Sequence, residues 1–159
     1  MIGRRKFIVL VAAGTIAAGG AAAAAVLLPG ERPRIGPPAL RYGAEQCAYC
    51  GMIISDAHFA AAWRDARGAE QHFDDIGCMV NASRRHDPGE GSAWWVHDYA
   101  SQSWLAAPSA TYAFSNAVKT PMVYGVVAFE RPEDAARFVR SAGTALTWEQ
   151  ARQTVERKG

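Results

Sequence analysis

Apolar and polar positions change rhythm several times along the chain, and each change marks an element. Positions 59–63 and 69–73 are short runs around Asp65-Ala66-Arg67-Gly68, which predicts a hairpin with Gly closing its turn. Asp74 or Asp75 then caps a helix to about Arg85, with Ile76, Met79 and Val80 on one face and Cys78 as a small core residue. His86-Asp87-Pro88-Gly89-Glu90-Gly91 ends it as a loop. Positions 94–99 are aromatic and β-branched, hence a strand, and 103–105 pair back against it. A second round follows: strands at 111–115 and 123–130, then a helix opened by Pro132, with Glu133 and Asp134 in the first turn where the helix dipole favours acids. Its apolar stripe is Ala135, Phe138, Val139 and Ala142, and Gly143 stops it. Positions 148–157 read as a short closing helix. The order of elements repeats over 47–105 and 108–150, although the halves share little sequence, and the class is α+β.

The start of the chain follows a different pattern. Met1 to Lys6 are short and basic, and positions 7–28 are nearly all apolar, softened by Gly14, Gly19 and Gly20 and ending in small residues of the kind a signal peptidase accepts. Gly3-Arg4-Arg5-Lys6-Phe7-Ile8 resembles a twin-arginine export signal. Residues 1–28 are thus expected to be an export signal or, left uncleaved, an anchor long enough to span a bilayer. Residues 29–44 form a proline-rich linker, and 45–159 the folded domain. The implied location is the periplasm, with membrane contact only through the N-terminal segment.

Charge then narrows the partners. The formal charge of +2 for the 159 residues includes Arg4, Arg5 and Lys6; without the leader, acids and bases nearly balance, and no basic block suits a phosphate backbone. Nucleic acid is excluded as a natural partner. Three cysteines in an oxidising compartment do not make a disulfide framework, so at least one is free or bound to something.

The densest chemistry is Cys47-Ala48-Tyr49-Cys50-Gly51-Met52. Thiolate and thioether sulfurs are soft donors that select Cu(I), and Gly51 lets the backbone fold tightly enough for Cys50 and Met52 to face one ion. A structural zinc site would need four closed ligands, with Cys78 and a His completing the set. A redox dithiol normally sits where a strand feeds a helix, which this loop does not. Met122, after Pro121 and ahead of a strand, is a second sulfur candidate, and His58 an accessory ligand close to the loop. Cys78-Met79 reads as helix core, His97 as half-buried on a strand, and Asp74-Asp75 as helix capping. No phosphate loop, nucleophile elbow or metalloprotease helix is present, and the protein is read as a non-enzyme.

In order along the chain, these motifs resemble the NosL-type copper chaperones that help mature nitrous oxide reductase. The signposts are Cys47-x-x-Cys50-Gly51-Met52-x-Ile54, Phe73-Asp74-Asp75-Ile76-Gly77-Cys78-Met79, Val96-His97-Asp98-Tyr99 with Trp104, and Pro121-Met122 followed by Val127-Ala128-Phe129. The resemblance implies two related ββαβ units similar to the organomercurial lyase core. It also implies Cu(I) held by Cys50, Met52 and Met122, with Cys47 alongside, and delivery from a membrane transporter complex to a cuproenzyme such as nitrous oxide reductase. The alternative reading of the same loop is a periplasmic thiol redox or organomercurial-lyase-like enzyme using Cys47 and Cys50. The sequence departs from the family in two places. Many members are lipoproteins, whereas no Cys here precedes Cys47, and Met122 is followed by Val123-Tyr124-Gly125 where many members have Gly at once.

Overall fold

In the computed structural model, residues 36–158 are described; the expected export segment 1–28 and the first part of the linker lie outside them. Four strands build the first sheet. β1 (Ala61–Arg64) and β2 (Glu70–Phe73) form the hairpin, turning through Asp65, whose carboxylate accepts from the backbone of Arg67 and Ala69 at 2.8 Å each. After α1 (Ile76–Arg85), β3 (Ala93–His97) returns beside β1, and β4 (Trp104–Ala106) adds the far edge, giving the order β2-β1-β3-β4, all antiparallel. β1 pairs on both sides and buries Ala61, Ala62 and Trp63; β2, at the edge, buries only Phe73. The central strand therefore reads as a continuous apolar run and the edge strand as polar.

A 3-10 turn at Ala107–Ser109 leads into the second sheet. β5 (Thr111–Phe114) lies between β6 (Val126–Phe129) and β7 (Thr144–Leu146), again antiparallel, with α2 (Pro132–Ala142) between β6 and β7. In both sheets the chain runs strand, strand, helix, strand, and the first strand takes the centre. β7 is the closing strand that the repeated order of elements implies, although no run of residues in the sequence marks it. It follows Gly143 at once and has three residues, too few for an alternating pattern to show.

The sheets meet at two places. Asp98, just past β3, makes a parallel bridge to Ala128 in β6, and its carboxylate accepts from the Glu130 N–H at 2.9 Å. The closing helix α3 (Trp148–Glu156) starts in a capping box of Thr147 and Gln150 and seats Trp148 between Trp94 of the first sheet (6.0 Å) and Tyr112 of the second (5.4 Å). One apolar core, including Phe73, Ile76, Met79, Val96, Tyr112 and Val155, runs through both halves. On the other side of the second sheet, Phe129 and Phe138 pack with Tyr99 and Phe59.

The segment ahead of the Cys loop is held to this body. Leu40 packs on the core, Gly43 donates to Ile54 O at 2.8 Å, and the Tyr42 hydroxyl meets His97 Nε2 at 2.6 Å. No helix among the described residues is long and apolar enough to cross a membrane.

Candidate metal centre

Between Gln46 and Ile53 the chain doubles back on itself. Cys47 N–H donates to Met52 O at 2.8 Å, and Gly51 N–H to Cys47 O at 2.9 Å. The turn needs Gly51 at φ +78, a conformation that a Cβ would oppose. Ala48 N–H then donates to His72 O at 2.9 Å, laying this loop against the end of β2. Phe73, Asp74 and Asp75 follow directly, and α1 begins. The loop is thereby placed against a strand-to-helix junction.

Four side chains converge there. The sulfurs of Cys47, Cys50 and Cys78 and a carboxylate oxygen of Asp74 all lie within 4.8 Å of one another. Cys47, Asp74 and Cys78 are buried, while Cys50 is half-buried and opens the cluster toward solvent. All three cysteines are free. The Cys50 thiol donates to both Asp74 oxygens, at 3.4 and 3.5 Å.

The thiols are not equivalent. The Cys78 thiol donates to the Cys47 sulfur, and the backbone N–H groups of Cys50 and Asp74 add to it, so Cys47 is lowered to about 6 and stands as the thiolate at neutral pH. Cys78, as that donor and buried, is held up as the thiol. Burial pushes Cys50 up to about 11, with the neighbouring Cys47 and Asp74 charges adding to it. The hydrogen bonds thus favour the thiolate at Cys47, while burial and the neighbouring charges favour the thiol at Cys50.

Two sequence expectations are corrected at this point. Cys78 is fully buried, as a core residue should be, but its sulfur belongs to the cluster and not only to the apolar core. Of the two acids read as caps, only Asp75 caps α1, accepting from Gly77 N–H at 2.7 Å; Asp74 faces the thiols. Helix capping requires one side chain, and the second Asp was the signal available in the sequence.

The two methionines occupy different settings. Met52 follows the Cys loop and is 45% exposed. Met122 is half-buried, and its N–H donates to Asp75 Oδ2 at 3.1 Å, tying it to the first turn of the helix that carries Cys78. Two further contacts fix that segment. Thr120 bonds the Asp75 side chain, and the Tyr124 ring lies so close over Gly77 that a Cβ there would come within 2.1 Å of it. Asn81 Nδ2 bonds both Gly77 O (3.1 Å) and the Tyr124 hydroxyl (2.8 Å). Burial raises Asp75, and the backbone N–H groups of Gly77 and Met122 oppose that shift.

No histidine joins the four-donor cluster. His58 spends Nδ1 on Asp56 (2.6 Å) and Nε2 on the Gln102 amide (2.9 Å). His97 is buried and neutral: its Nδ1–H donates to Gln102 O at 2.7 Å, which leaves Nε2 to accept from Tyr42. Burial lowers His97 and, as the largest influence, raises Tyr42 to about 12, both favouring this uncharged pair.

The model of the NosL family matches residues 40–155, most of the chain and every residue of the cluster. The chain belongs to the NosL family. Among solved structures, the crystal structure of the copper chaperone NosL from Shewanella denitrificans shares the fold, with a TM-score of 0.58 over 74% of this chain and 96% of that one at 15% identity. No curated protein matches the sequence. Within this fold the chain brings together three thiols and a carboxylate, three of the four buried, a donor set of the kind that holds a metal ion.

Proposed function

We propose that this protein is a periplasmic Cu(I) carrier. It takes the ion from a membrane transporter complex and passes it to a cuproenzyme such as nitrous oxide reductase. Cys50, Met52 and Met122 are the exchanging ligands, with Cys47 behind them. The supporting observation is the arrangement at Cys50, a half-buried thiol at the solvent side of a buried thiol cluster, two residues from an exposed methionine. Soft sulfurs suit Cu(I), which accepts two or three ligands without a rigid cage. An acceptor's Met or Cys can then displace them one at a time. The matching strand order of the two sheets supports reading them as related ββαβ units. The basic and apolar leader supports export by a twin-arginine route.

The reading as a thiol enzyme fits less well. Such an enzyme presents its thiolate to substrate, whereas here the sulfur whose surroundings favour the thiolate is the buried Cys47, and those of the half-buried Cys50 favour the thiol. Competition against a Cu(I)-selective chromophore tests the carrier. Cys50→Ser should weaken Cu(I) binding by more than about 100-fold, beyond the usual effect of an outer partner of a metal ligand. Cys47→Ser should weaken it partially. Unchanged affinity in Cys50→Ser refutes the assignment.

A further inference from the structure

The far end of α1 carries a face that the proposed copper ligands leave unused. Arg84 and Arg85 stand in its last turn, both exposed. Arginines there suit the helix dipole, yet among the described residues neither guanidinium donates to a backbone carbonyl at the helix end. Each is held sideways instead. Arg85 Nη2 donates to the Tyr49 hydroxyl at 3.2 Å, and its guanidinium lies 4.3 Å over the Tyr49 ring. Arg84 Nη1 donates to Asn81 Oδ1 at 3.4 Å, and Asn81 is buried, its amide nitrogen already bonded to Gly77 O and the Tyr124 hydroxyl. Tyr49, Asn81, Arg84 and Arg85 line one open cleft of about 330 Å³. Neither arginine pairs with a carboxylate among the described residues, whereas Arg64, Arg131 and Arg137 do.

We propose that this cleft is the docking point for an acidic segment of the protein that exchanges copper with this one, its carboxylate gripped by Arg84 and Arg85. Charge decides the occupant. The two guanidinium groups are oriented by neutral partners and lack an internal anion, and arginine binds a carboxylate through paired N–H···O bonds. An anionic membrane is the poorer match, because it calls for a cluster of about four to eight basic side chains. Without the leader, moreover, the acids and bases of this chain nearly balance. Position gives the docking its use. Tyr49 immediately precedes Cys50, and Met52 and Ile53 just beyond are each 45% exposed. A carboxylate seated on Arg85 therefore anchors the partner against the loop that carries Cys50 and Met52. The proposal rests on the carrier reading only for what the partner does; the cleft needs no copper to bind an acid.

Two short peptides are the probes, blocked at both ends and each holding a methionine, one with paired glutamates and the other with glutamines in their place. In the reduced, metal-free full chain, the glutamate peptide should shift the NMR signals of Tyr49, Arg84 and Arg85. It should bind at least about 10-fold tighter than the glutamine peptide, and less so as salt is raised. Arg84→Gln together with Arg85→Gln should erase that preference. Arg140→Gln, which removes an exposed arginine of α2, should leave it intact. From the Cu(I)-loaded chain the glutamate peptide should also take the ion faster. No preference between the peptides, or one that survives the double substitution, overturns the docking point. So does a chain that ignores both peptides and binds phosphatidylglycerol vesicles through Arg84 and Arg85. Glutamate preference in a chain that ignores Cu(I) keeps the acidic docking point and sinks the carrier. Cu(I) bound without any peptide preference does the reverse.

Discussion

The two halves of the molecule pass from strand to helix in the same way, but each meets its buried acids with different groups. In the second half, β6 leads through Glu130 and Arg131 into α2, and the buried Asp134 is paired with Arg131 at 2.6 Å and Arg137 at 3.1 Å. In the first half, β2 leads through Asp74 and Asp75 into α1, and neither acid has a cationic partner among the described residues. Asp75 is satisfied by the backbone N–H groups of Gly77 and Met122, and Asp74 faces thiols. The second junction is balanced by the chain's own arginines. The first holds negative charge and ionisable sulfur in a space that a cation from outside can balance. The same backbone turn therefore makes a fixed corner in one half and gathers three thiols and an unpaired carboxylate in the other.

The sharpest way to break this contrast is to remove one acid from each junction. Asp75→Ala takes away the cap of α1 and the acceptor of Met122 N–H. A lost cap costs about 1 kcal/mol and a buried donor left without a partner about 1–3 kcal/mol. A drop of about 2–4 kcal/mol in unfolding free energy is expected, with weaker Cu(I) binding as Met122 comes loose. Asp134→Ala loses bridges to arginines that are 68% and 70% exposed, which is worth under about 1 kcal/mol. Denaturant titration of both variants decides it, and equal losses would show the junctions to be alike.

Much of this architecture is legible in the sequence, and the part that is not has a physical reason. The Asp cap of α1, Pro132 at the start of α2 and the Gly-ended hairpin turn are local signals, readable because the residues that cause them lie within a few positions. The cluster is not local. Cys47 and Cys78 are 31 positions apart and meet only because Ala48 pairs with His72 and pulls the loop over the junction. Cys78 also sits on the apolar side of α1, where a helix pattern assigns it to the core, and that pattern cannot report that its sulfur has a polar neighbour. Asp74 was hidden by its neighbour, since one capping explanation covered two acids. Met52, two residues past Cys50 in the same local motif, is exposed.

The acidity of the cluster gives a second test, of about 1.4 kcal/mol per pH unit. Cys50 is a thiol up to about 11, so an ion binding it releases one proton throughout the neutral range, and Cu(I) affinity should rise about tenfold per pH unit from 7 to 9. Cys47, lowered to about 6, is already ionised there and adds nothing. Below about pH 6 it is protonated too, and if it ligates the ion the slope steepens toward two protons. Competition titrations from pH 5.5 to 9 measure this, and Cys47→Ser should hold the slope at one. A flat profile would show that Cys50 is not the ligand.

The smallest effect concerns how the second half reaches into the first. Met122 arrives on the turn between β5 and β6, and the next residue, Val123, is held at φ +60 by the bond from its N–H to Thr120 O. A β-branched residue pays about 1–2 kcal/mol for that conformation, and at 62% exposed Val123 recovers little through burial. Glycine adopts the angle freely but loses about 0.5–1 kcal/mol through the entropy of the unfolded chain. Val123→Gly should therefore stabilise the protein by about 0.5–1 kcal/mol, seen as a higher denaturant midpoint at unchanged slope. Gln102, the other non-glycine residue at φ +60 among those described, is the control, because its side chain holds His58 at 2.9 Å and glycine there forfeits that bond. A gain at 123 without one at 102 would identify stored strain in the segment that carries Met122. A loss at 123 would show that the valine side chain, and not the backbone bonds to Asp75 and Thr120, keeps the methionine in place.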